Sequence, residues 1–143
     1  MVELQPMCAG EAQYKGYKTN GHEGNDEGYE VTYPDGYKSW CPKEVADAAY
    51  FKLDKNGDGS CITTNDVIQF VPSYKATTFG EKTTVLHVKT ITGFELVETS
   101  SCVDPKNYSQ KLGEKYALEK VHSKVWDYLG FVLQWAKNGL YNK

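Results

Sequence analysis

The chain has 143 residues, 40% of them hydrophobic, and a formal net charge of −3. That length holds one domain or two small ones, and the apolar share is enough for a core. The mild acidity argues against a general nucleic-acid binder, which shows a basic face. No apolar run approaches the ~18 residues of a membrane helix. The N-terminus lacks the basic-then-apolar pattern of a signal peptide. A cytosolic setting follows, with Cys8, Cys41, Cys61 and Cys102 reduced. These four are too scattered for a paired-cysteine zinc spacing, so no metal and no cofactor is expected.

In chain order, Met1 to Asp26 shows turn signals (Gly16-Tyr17, Asn20-Gly21, Gly24-Asn25-Asp26) and little periodicity, and is expected to be irregular, with His22 at the surface. Gly28 to Trp40 reads as a hairpin. Tyr29, Val31 and Tyr33 alternate with polar residues, Pro34-Asp35-Gly36 forms the turn, and Tyr37 to Trp40 return the chain. A helix over Val45 to Leu53 follows, with Cys41 at its cap, Pro42 at the first helical position and Glu44 at the third. A thiol caps poorly; Cys41 is either an inert cap or a cysteine whose pKa is lowered at a helix start.

Asp54-Lys55-Asn56-Gly57-Asp58-Gly59-Ser60 matches the first half of an EF-hand calcium loop. The position that needs a bidentate Glu is Asn65, with Asp66 one residue late. A calcium module on Asp54, Asn56 and Asp58 is one reading, and a Gly/Asp turn between two helices is the other. Thr63 or Thr64 then caps a short helix with Asp66 as partner. Val67, Ile68, Phe70 and Val71 are its apolar residues, and Pro72 ends it. Tyr74 to Gly80 is a strand edge or loop. Thr83 to Ile91 is β-branched and extended, Thr92-Gly93 turns, and Phe94, Leu96 and Val97 return. His87 lies in this strand as a structural histidine, or as a ligand or base.

One long helix is expected from Asp104-Pro105, with Asp104 the cap, to a stop at Asn138-Gly139. It would be about 34 residues and span roughly 50 Å. Gly130 is a possible kink. Ala117, Val121, Val125, Tyr128, Val132 and Trp135, broadened by Leu118, Leu129 and Ala136, make one buried face. Trp126, Leu129, Leu133, Ala136 and Leu140 make a second seam, which calls for cover by an N-terminal segment or by another copy of the chain. Homo-oligomers through Trp126, Leu129, Leu133 and Leu140 are therefore expected.

The fold class is α+β: a small antiparallel sheet from two hairpins packed on the long C-terminal helix, with short helices between. Residues 1–61 form the hairpin-helix region and 62–143 the second hairpin and long helix, together expected as one compact unit. The chain carries 11 Tyr and 3 Trp, residue types that favour binding surfaces as well as cores. The candidate ligand site joins Tyr37 and Trp40, which can stack on a base, to Ser100, Ser101 and Asn107 beside the helix start, where free N–H groups attract phosphate. The alternative is that Ser100 and Ser101 merely finish a strand. There is no nucleophile elbow, zinc-type His/Glu helix or P-loop, and the three His fall in different elements. No catalytic residue is assigned, although 19 acidic residues leave a carboxylate-based hydrolase open.

From Ile62 to Gly139 the chain resembles a family of tailed-bacteriophage accessory proteins. The strings are Thr63 to Val67, Gly80 to Thr84, Thr92 to Glu98, Ser100 to Pro105, and Lys124 to Trp126 followed by Leu129 to Phe131. Gly28 to Tyr50 is similar to a stretch common in small phage proteins, in which Ser usually stands where this chain has Cys41. The Asp54 to Cys61 loop falls where the family pattern varies. The resemblance implies a phage protein acting in the host cytoplasm. By analogy with small non-structural phage proteins, it implies a binding protein that counters a bacterial defence. Its partner would be a sequestered nucleotide-type signal or a host defence protein.

Overall fold

The computed structural model describes residues 1–140; they divide into two compact units, Met1–Lys52 and a second that begins at Leu53. The fold is α+β, as the sequence indicates, but its strands form two three-stranded antiparallel sheets rather than one. In each sheet the third strand comes from earlier in the chain and pairs with the first strand of the hairpin.

The first unit contains β1 (Glu3–Pro6), α1 (Ala9–Tyr14), β2 (Gly28–Thr32), β3 (Lys38–Pro42) and α2 (Lys43–Ala49), with β2 central. The expected hairpin is present. Asp35 Oδ1 accepts the Tyr37 N–H at 3.0 Å, and Gly36 supplies the positive φ of 86° that the turn needs. The first 26 residues are not irregular throughout: a strand and a short helix stand at Glu3–Pro6 and Ala9–Tyr14, followed by the expected turns. β1 pairs Glu3 to Pro6 with Thr32 to Tyr29 through backbone bonds, which do not require alternating side chains. α1 buries only Ala9 and Ala12, too small to register as an apolar period, and Glu11 Oε2 accepts the Cys8 N–H at 3.2 Å. Met7, Ala9, Ala12 and Trp40 form the core of this unit, with Tyr17 packed against it. A side chain on Gly28 would overlap the Trp40 ring.

The helix after the hairpin also differs from expectation. Cys41 is a strand residue paired with Tyr29, Pro42 is the N-cap, and α2 ends at Ala49 instead of Leu53. Ala46 is its one buried residue, an anchor too small to carry more turns.

The second unit runs α3 (Thr64–Phe70), β4 (Ser73–Phe79), β5 (Thr83–Lys89), β6 (Glu95–Ser101), a 3₁₀ turn (Pro105–Asn107) and α4 (Gln110–Asn138), with β5 central. Thr63 and Asp66 make the expected capping box. Alternation along the strands turns Thr84, Leu86, Val88 and Leu96 inward, and α4 packs against β5 and β6. The helix buries Gly113, Ala117, Val121, Val125 and Leu129, one every four residues. Lys124 pairs with Glu98, and Lys120 Nζ donates to the Thr99 carbonyl at 2.7 Å.

Asp104 does not open the long helix. It caps the 3₁₀ turn; Tyr108 is extended, and Ser109 caps α4 by accepting the Leu112 N–H. The break is held by Tyr108, whose hydroxyl lies 2.7 Å from Thr78 Oγ1 and 2.9 Å from Thr84 Oγ1. The helix is 29 residues, about 44 Å. It continues through Gly130 and stops at Gly139, whose φ is 63°.

Gly113 and Gly130 are opposite cases. A Cβ at Gly113 would overlap the Thr84 side chain, whereas one at Gly130 meets nothing within 4 Å. Gly113→Ala should destabilise the fold by about 1–3 kcal/mol through overpacking. Gly130→Ala should be neutral or stabilise by up to about 1 kcal/mol. Urea denaturation of the two variants checks the pair; equal effects would place the helix–strand contact elsewhere.

Candidate functional site

Of the five residues expected to gather a ligand, two lie in the first unit. Tyr37 is exposed at the hairpin turn, its ring 5.7 Å from that of Tyr33. Trp40 is not a stacking platform. It is 7% exposed, its indole N–H donates to the Met7 carbonyl at 2.9 Å, and the His22 ring lies 5.5 Å away. It closes the core of its unit.

The other three lie in the second unit and do not form a cradle. Ser100 and Ser101 are consecutive in β6 and so point to opposite faces. Ser100 shares the row of Thr78 and Thr84 beneath α4, and Ser101 Oγ lies 2.8 Å from Thr83 Oγ1 on the outer face. Asn107 is exposed in the 3₁₀ turn, separated from the start of α4 by Tyr108 and Ser109.

The first unit has an open cleft of about 450 Å³ lined by His22, Asp26, Glu27, Lys43, Glu44 and Asp47. A second, of about 400 Å³, adds Glu11 and Cys8 and shares Glu27 and Lys43. Lys43 is paired with Glu27, and His22 Nδ1 is 3.3 Å from Asp26. Residues 1–52 carry nine carboxylates against five lysines, and the chain has no arginine. Carboxylate-lined clefts without a guanidinium fork suit cationic or neutral partners better than phosphates.

The buried carboxylate Glu30 answers to structure. Its side chain is 4% exposed and is held by the Tyr17 hydroxyl at 2.7 Å, Lys38 at 3.1 Å and Lys15 at 3.3 Å. These bonds, the Tyr17 hydroxyl first, lower its pKa from 4.5 to about 2. Cys41 does not have a lowered pKa; burial and nearby Glu44 raise it.

In the second unit, Asp54 Oδ1 accepts the Asn56 backbone and side-chain N–H, and Asp58 Oδ1 accepts from Ser60. The loop is a pair of local turns, and no group of three or more His, Cys, Asp or Glu able to hold a metal ion exists among the described residues. His87 Nε2 is 3.0 Å from Glu95 on the face of the sheet away from α4. Partial burial lowers the pKa of His122.

The largest departure from an ordinary surface is the far end of α4. Leu129, one of the four expected interface residues, belongs to the buried line at 6% exposure, and Leu133 is half-buried. Trp126 and Leu140 are exposed, together with Tyr128, Phe131 (67%), Val132 and Trp135 (56%). The expected continuation of the buried face through Tyr128, Val132 and Trp135 thus lies open. Phe94, in the β5–β6 turn, meets Tyr128 edge-on at 6.1 Å, and Phe131 meets Trp135 at 6.1 Å. Phe131 and Phe94 were missed because neither fits a stripe; the usable signal was a half-helix apolar around most of its girth.

A family model described as phage protein (N4 Gp49/phage Sf6 gene 66) family matches residues 43–136. The match begins at α2, earlier than the resemblance at Ile62, and leaves the β2–β3 hairpin outside. No curated protein and no solved structure matches the chain. No helix among the described residues is long and apolar enough to cross a membrane.

Lowering the pKa of Glu30 ties stability to pH. The ionised form is the one favoured in the fold, so its contribution is complete above the ordinary value of 4.5 and is lost as pH falls toward about 2. The melting temperature of the wild type should therefore drop between pH 5 and about pH 2 more steeply than that of Glu30→Gln, which should already melt lower at pH 7. Parallel slopes in thermal melts would show that Glu30 is not the group responsible.

Proposed function

The chain belongs to the phage protein family of N4 Gp49 and phage Sf6 gene 66, and from that premise we propose that it is a non-catalytic binding protein with which a phage counters a host defence, acting in the host cytoplasm through contact with a host protein. The observation that carries this reading is the exposed aromatic end of α4, with Trp126, Tyr128, Phe131 and Trp135 on one half-helix. Such residues are enriched at protein interfaces and at their energetic centres. A defence role comes by analogy with small accessory proteins of phages.

Capture of a nucleotide-type signal is the second reading. The exposed Tyr37, paired with Tyr33, favours it as a stacking surface. Against it stand the buried Trp40, the division of Ser100 from Ser101, and clefts lined with carboxylates. Hydrolysis of such a signal and calcium control through Asp54, Asn56 and Asp58 have no comparable support.

Native mass spectrometry of the purified protein separates these readings. It is mixed first with a filtered small-molecule extract from cells whose defences are triggered, then with the protein fraction of the same cells. The expected outcome is an unchanged subunit mass with the extract and a stable complex with one host protein, whose own activity the purified chain inhibits. A discrete small adduct would overturn the protein-directed reading in favour of sequestration, and a processed nucleotide would overturn the non-catalytic one.

A further inference from the structure

The edge of a sheet is a row of unpaired N–H and C=O groups, and proteins blunt it with short strands, prolines or charges. Three of the four edges here are blunted. β1 has four residues and ends at Pro6, and β3 has five and ends at Pro42. β6 carries Glu95 and Glu98, and Lys120 of α4 reaches its Thr99 carbonyl. β4 differs. Its seven residues pair with β5 in unbroken register, with no proline and no carboxylate, and all but the half-buried Ala76 are exposed. Alternate residues of an antiparallel edge strand turn both backbone groups away from their neighbour, and no strand pairs with β4 on that side.

We infer that the free edge of β4 docks an extended segment of a partner protein, one that alternates carboxylates with apolar residues and adds to the sheet as a fourth strand. This goes beyond the reading above by placing a contact away from the end of α4, and it rests on that reading only in taking a protein as the partner.

Charge and pleat select the occupant. Residues 73–89 carry three lysines and one glutamate in a chain whose net charge is −3. Lys75 shares the outer face of the sheet with His87 and Lys89. Glu95, the one carboxylate on that face, lies two strands from the edge and is bonded to His87. Lys75 has no ion pair among the described residues. In an added strand every second side chain falls beside Lys75 and Thr77, where a carboxylate meets an opposite charge. The others fall beside Tyr74 and Ala76, on the face toward α4, where an apolar side chain extends the inner layer. Backbone bonds supply the affinity of such an addition, and alternate side chains supply the choice of partner. The same charges disfavour self-pairing. Two β4 edges side by side bring two basic ribbons together with no carboxylate in either strand.

Amide hydrogen exchange of the whole chain, read by NMR, tests this with three blocked synthetic peptides as long as β4. One alternates glutamate with valine, one alternates lysine with valine, and one is the glutamate peptide with a central proline. In the free protein the β4 N–H groups should form two sets, one protected by β5 and one exchanging quickly. The glutamate peptide should slow the quick set at least ~10-fold, and the other two should leave it unchanged. Lys75→Glu should invert the choice, taking the lysine peptide and refusing the glutamate one, with a melting temperature close to that of the wild type. A quick set already slow in a free protein of one-chain mass shows the edge filled from within the chain. The same slowing in a species of two-chain mass shows a second copy filling it, and either result overturns the inference. So does a glutamate peptide that fails to bind, or that binds no better than the lysine peptide. A host protein captured while the β4 N–H groups still exchange quickly overturns it as well, and leaves the protein-binding reading in place.

Discussion

The second unit depends on one close approach, that of the α4 backbone to Thr84 at Gly113. No side chain fits between them. The buried residues that follow grow in steps: Gly113, Ala117, Val121, Val125, Leu129. This grading is what a straight helix needs to cross a twisted sheet, nearest at one end and farther away at the other. The Tyr108 hydroxyl, bonded to Thr78 and Thr84, fixes where the helix begins relative to the strands. Together these set the point at which α4 leaves the sheet, and so which of its residues the sheet of its own unit does not cover. The exposed aromatic end is a consequence of where the helix is pinned.

The first unit solves a different problem, the burial of a carboxylate. Glu30 faces inward from the central strand and would be costly alone. One hydroxyl and two ammonium groups share its charge, at 2.7 Å from Tyr17, 3.1 Å from Lys38 and a longer 3.3 Å from Lys15. Lys15 and Tyr17 reach it from the segment after α1, and Lys38 from β3. The network thus ties the sequence-distant parts of the unit to one strand. Trp40 does the same on apolar terms, with its N–H committed to the Met7 carbonyl. A residue type that suggests ligand stacking in a sequence is here a core anchor, and only burial distinguishes the two.

The elements written in local chemistry were legible. Pro34-Asp35-Gly36, the Thr63–Asp66 capping box and the Gly139 stop each carry their own mechanism within four residues, and each stands where the sequence places it. What was not legible depends on partners far along the chain. β1 has no alternation of its own and exists because β2 offers an edge. The start of α4 moves from Asp104 to Ser109 because Tyr108 finds two strand hydroxyls. The division into two sheets follows from which edge each flanking strand fills. The separation of Ser100 from Ser101 could have been read at once, since neighbours in a strand cannot share a face. The apolar girth of the α4 end was visible, but Phe94 joins it only through the turn that brings it to Tyr128.

The EF-hand-like loop shows how a motif can be captured by structure. Its late carboxylate, Asp66, is fully buried. One oxygen accepts the Asp54 N–H at 2.6 Å, and the other accepts the Thr63 N–H and hydroxyl at 2.8 Å each. Turning Asp66 toward a cation would free the N-terminus of α3 and uncap the loop entry together, leaving buried donors without acceptors. Asp54 and Asp58 spend their Oδ1 atoms on N–H groups two residues on, which fixes the loop as consecutive Asx turns. Three of the carboxylates are engaged in holding the chain's own shape: Asp66 at a helix cap, Glu30 in a sheet, Glu98 against Lys124. The aromatic side chains at the end of α4 touch one another and Phe94 but stay exposed. They make an interface the most direct physical use of that surface.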